Sequence, residues 1–132
     1  MKTRLLAALA VLVSGYIHLR LWIEGFKSLH VVGPAFMVNA VAAVVIAVLL
    51  VIWRSWLPPL LAAGFGGVTL VAFVISTTSG LYGVHERWVG GYIWWAFISE
   101  VVALLAGLVA LWRESAGQRR TQGTMQRGAA RI

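Results

Sequence analysis

Apolar residues run in four long stretches, at residues 5–23, 35–53, 60–78 and 92–112, each broken by only a few polar positions. At about 1.5 Å per residue, every stretch covers the ~30 Å hydrocarbon core of a bilayer. Hydrocarbon satisfies no backbone polar group, so such segments cross as helices. The pattern predicts an all-α fold, an up-down-up-down bundle of four transmembrane helices over residues 1–112. Residues 113–132 are rich in arginine, glycine and glutamine and show no apolar period. They predict a basic, disordered cytoplasmic tail, or one lying against anionic headgroups.

Within the stretches, small and polar residues recur at helical spacing and mark the faces that meet other helices. In the first stretch these are Ala7, Ala10, Ser14 and His18. In the third, Gly66, Thr69, Ser76 and Gly80 share a face. In the fourth, Ala96, Glu100, Ala103, Gly107 and Ala110 form a stripe that should face the bundle. The second is interrupted only by Asn39 and follows Pro34, which suits a helix start. Residues 54–59, a short run with two prolines, predict that the second and third segments are antiparallel neighbours.

A secretory signal peptide is the rival reading of the first stretch, with its basic start and the small residues Ser14 and Gly15. Against cleavage there, apolar character resumes through Ile17, Leu19, Leu21, Trp22 and Ile23 and reaches spanning length.

Composition agrees with the pattern: 61% of the 132 residues are hydrophobic and 11% charged, against ~25% charged in ordinary soluble domains. With no cysteine, disulfides and thiolate sites are excluded. The net charge of +7 invites a nucleic-acid reading, but the cations flank apolar segments or lie in the tail. Topology accounts for them better, and nucleic acid is not an expected partner. Lys2, Arg4, Arg54, Arg113, Arg119, Arg120, Arg127 and Arg131 fall on the side of both termini, against Arg20, Lys27 and Arg87 on the other. That excess predicts a plasma-membrane protein with both termini cytoplasmic.

Under this topology His18, His30, His85, Glu24 and Glu86 lie on the outer side. Glu100 sits ~13 Å below the outer end of its helix, and His18 and Asn39 ~8 Å below theirs. Polar side chains thus converge in the outer half of the bundle, where Glu100, His18, Asn39, Ser76 and Ser14 are the candidate polar pocket. A lone acid in a spanning segment is costly and marks function or a packing partner. His18, His30, His85, Glu86 and Glu100 carry the donor types of a transition-metal or haem site. Their spacing is not that of an HExxH or Glu-x-x-His motif. The loop aromatics Tyr82, Trp88, Tyr92, Trp94 and Trp95 read as an interfacial belt rather than a ligand box. No phosphate-binding Gly-rich motif or GxSxG elbow is present: the Gly64–Gly67 run has no lysine beside it.

The runs SGYIHLRLW, HVVGPAFMVNAV and VISTTSGLYGVHE resemble small four-helix integral membrane proteins of high-GC Gram-positive bacteria. The resemblance covers roughly the first 110 residues. It implies four spans and a plasma-membrane location and supplies no catalytic residues.

The first expectation for function is an accessory or ligand-binding membrane module, without catalysis of its own, built around the outer polar pocket. The alternative is a redox or metal-handling protein using the outer histidines and carboxylates. A second alternative is a small proton-coupled transporter acting as a dimer through Glu100. The bilayer is the expected partner, with a homo-oligomer or a larger membrane complex beside it.

Overall fold

The computed structural model describes residues 2–24, 31–78, 80 and 91–131, and these contain four helices and no strand. Helix α1 is Lys2–Glu24, α2 Val32–Ile52, α3 Leu57–Thr78 and α4 Gly91–Ala130. All four are long and apolar enough to cross a membrane, and the chain is a multi-pass membrane protein. Outward-facing residues are apolar to match: Val38, Val41, Val48, Val68 and Val71 are all exposed. In water such surfaces would aggregate, whereas lipid tails solvate them.

Helix ends follow local chemistry. The amide of Trp53, the C-cap residue of α2, donates to Leu49 O at 2.9 Å. Helix α3 opens three residues before the apolar stretch predicted, because Pro58 and Pro59 fall in its first turn, where no intrahelical donor is required. Gly80, with φ 84°, donates back to Ile75 O at 2.8 Å beyond the end of α3. That left-handed turn suits glycine, which carries no Cβ penalty there.

The largest departure is at the other end of the chain. The predicted disordered tail is helical: α4 is 40 residues long and continues to Ala130. At about 1.5 Å per residue it measures ~60 Å, twice a bilayer core. Extension is physically cheap, since the spanning part already supplies the nucleus and each added residue gains a hydrogen bond. Arg, Gln, Met and Ala favour helix, which outweighs Gly117, Gly123 and Gly128.

Helix α1 packs along both α2 and α4, and α3 along α4. Helices α2 and α3 touch only slightly, despite the short connection that predicted them as neighbours, and α2 and α4 make no contact among the described residues. The cause lies in α3: its closest approach is to α4. A Cβ on Gly66 would stand 2.6 Å from Glu100 O, and one on Gly107 would stand 2.6 Å from Ala63 N. On the opposite flank Gly15 lies against Ala40 and Ala43 of α2. Small side chains thus let backbones meet at both seams. The buried core is correspondingly fine-grained, built from Ala7, Val11, Ala43, Leu50, Ala62 and Ala103.

Candidate functional site

Two polar clusters join α1 to α4, one near each end of the packed region. The first contains the acid singled out by sequence. Glu100 is 1% exposed and shares the buried face of α4 with Ala96, Ala103, Gly107 and Ala110. His18 Nε2 of α1 stands 3.8 Å from Glu100 Oε1. One turn earlier, the Ser14 carbonyl accepts a hydrogen bond from His18 Nδ1 at 2.7 Å, and Ser14 Oγ is 3.5 Å from the same nitrogen. A carbonyl only accepts, so Nδ1 carries a proton. The other ring nitrogen, Nε2, is thereby left to face the carboxyl. Phe36 of α2 packs edge-on against the imidazole, with ring centroids 5.0 Å apart. Backbone bond and aromatic edge together hold the ring in one orientation, as an orienting partner does for any working histidine.

Ser14, His18 and Glu100 are therefore gathered in one place. Ser76 is buried on α3, the helix packed on the Glu100 backbone. Asn39 is half-buried on α2, and its Oδ1 is enclosed without a hydrogen-bond partner among the described residues. His30, His85 and Glu86, named as metal ligands together with His18 and Glu100, lie outside the described residues, as do Tyr82 and Trp88. Among the described residues no three metal-binding side chains cluster. Chemically, an imidazole facing a carboxyl can share or pass one proton, or supply two ligands to a cation completed from elsewhere.

Sequence reasoning missed the second cluster. In the sequence Arg4 reads only as a topological charge, yet it is 3% exposed. Its Nη1 donates to Leu50 O at 3.1 Å and Trp53 O at 2.9 Å, its Nη2 to Ser55 O, and its Nε to Glu114 Oε1. The guanidinium thus closes the C-terminal carbonyls of α2, where a cation also meets the negative end of the helix dipole. It ties them to α4 through Glu114. The only hint in the sequence was that Glu114 is the sole acid among the arginines after Trp112.

No protein-family model matches this chain, nor does any curated protein or solved structure.

Proposed function

We propose that this chain is an up-down-up-down plasma-membrane protein with both termini in the cytoplasm. It works as an accessory or ligand-binding module, without catalysis of its own. Its working element is the His18–Glu100 pair in the outer half of the bundle. The observation that carries this reading is the placement of Glu100, 1% exposed and 3.8 Å from His18 Nε2 inside a helix pair long enough to span. Hydrocarbon penalises ionisable groups so strongly that retained ones are usually functional. Opposed numbering along the contacts supports the topology: Arg4 meets Leu50 and Trp53, while Gly15 meets Ala40 and Ala43. The excess of basic residues on the Arg4 side supports the cytoplasmic orientation.

A second reading, proton-coupled transport by a dimer, draws on the same pair: Nε2 stands 3.8 Å from Oε1, so a shift of about an ångström between α1 and α4 would bring the two groups into proton-sharing distance. One preparation distinguishes the readings. The purified full chain is analysed for metal and Soret absorbance, then reconstituted into vesicles loaded with a pH dye. The accessory reading expects no stoichiometric metal or haem and no proton flux above empty vesicles. Flux abolished in Glu100→Gln would replace it with the transporter, and metal lost in His18→Gln would replace it with a metal centre.

A further inference from the structure

At the Arg4 end a cleft of ≈ 270 Å³ opens between the start of α1 and α4, lined by Lys2, Thr3, Arg4, Ala110, Arg113 and Glu114. Liquid water occupies about 30 Å³ per molecule, so the space admits a phosphate group. Three of the lining residues are cations and one is an acid. Arg4 and Glu114 pair with each other, so the uncompensated cations of the cleft are Lys2 and Arg113, and Glu114 Oε2 is enclosed in the floor without a hydrogen-bond partner among the described residues. Lys2 and Arg113 are exposed at the rim, and Arg113 Nη1 donates to Thr3 Oγ1 at 3.4 Å, which brings the two helices' rim residues together. The first turn of α1 carries no acidic residue. The amides of that turn have no intrahelical acceptor and add to the positive field.

We infer that this cleft binds a phosphate group, supplied by the headgroup of an anionic phospholipid. Lys2 and Arg113 contact the phosphate, and the Arg4–Glu114 pair forms the fixed floor. The inference rests on the membrane placement proposed above. Trp112 on α4 and Trp53 at the end of α2, both exposed, mark the same level as the interface where headgroups lie. Each basic residue at that level attracts anionic lipid, and a cleft that presents two of them above a floor held rigid by Arg4 turns diffuse attraction into a site.

The test is native mass spectrometry of the full chain released from nanodiscs of equimolar phosphatidylglycerol and phosphatidylcholine. The wild-type protein should retain one phosphatidylglycerol in preference to phosphatidylcholine. Lys2→Gln with Arg113→Gln should reduce that retention by about tenfold or more, as expected for two cations. Arg119→Gln with Arg120→Gln removes the same charge from the exposed part of α4 and should leave retention nearly unchanged. Equal loss in both double variants, or equal retention of the two lipids by the wild type, overturns the site. Millimolar inorganic phosphate tells the source: displacement of lipid by bound phosphate assigns the cleft to the free ion, and persistence assigns it to the headgroup. Both rim residues are exposed, and thermal unfolding of each variant confirms that the fold is kept. A negative result leaves the flux and metal assays at His18 and Glu100 untouched, so the two proposals fail separately.

Discussion

Alanine at Gly66 or Gly107 places a methyl group against backbone atoms, 2.6 Å from the nearest in each case. Backbone cannot step aside as a side-chain tip can, so each substitution should cost about 1–3 kcal/mol through overpacking. Gly64 is the matched control: its Cβ would meet nothing within 4 Å. Gly64→Ala should be neutral or stabilising by up to ~1 kcal/mol, since alanine loses less backbone entropy in a helix. Thermal unfolding of the three purified variants checks the contrast, and three equal shifts would refute the α3–α4 seam. Arg4→Lys tests the other cluster. Lysine keeps the charge but is a point donor on a flexible stem, and cannot reproduce a fork reaching Leu50, Trp53, Ser55 and Glu114 together. A loss of about 1–3 kcal/mol is expected, the range for leaving buried acceptors unmet; an unchanged melting temperature would show the clamp to be idle. The two clusters were unequally legible for a plain reason. An acid in an apolar run, such as Glu100, announces its cost locally. Arg4 stands at the edge of its run, where arginine is ordinary, and its partner is 110 positions away.

The number of long apolar helices was readable from hydrophobic length, and each of the four overlaps one of the apolar stretches. Two features of the helices were not readable. The pairing of α2 with α3 followed from a short connection, yet connection length limits only where the ends lie, and the glycine seam with α4 decides the packing. The extension of α4 was hidden because arginines and glycines at 113–132 carry no apolar period, the property by which helices are usually recognised. Its residues are largely exposed, so they contribute little to the bundle. Truncation after Gln118 should therefore lower the helical circular-dichroism signal in proportion to the residues removed. The melting temperature of the remaining chain should hardly move, and a large drop would mean that the extension packs on something.

The contacts order the helices as α2, α1, α4, α3, with α1 and α4 as the central pair. Both polar clusters bridge that pair, Arg4 to Glu114 and His18 to Glu100, fourteen residues apart on each helix. That separation is ~21 Å along the axis, so the clusters should act independently in energy unless α1 and α4 shift as one body. The double variant Arg4→Lys, Glu100→Gln should thus show the sum of its single effects within about 0.5 kcal/mol. A clear excess or deficit would reveal mechanical coupling along the seam. Topology offers a separate check, because the chain has no native cysteine. Cysteines placed at Thr3 and at Gln126 should both react with an impermeant thiol reagent from the cytoplasmic side only, and labelling of either from outside would reverse the orientation. Lastly, α4 runs without interruption from Gly91 to Ala130, and a rod without a joint conveys rotation. Whatever grips the arginine-bearing shaft therefore pulls on the same rod that carries Glu100, and the Arg4–Glu114 clamp, standing between the two, is the first contact that such a torque would strain.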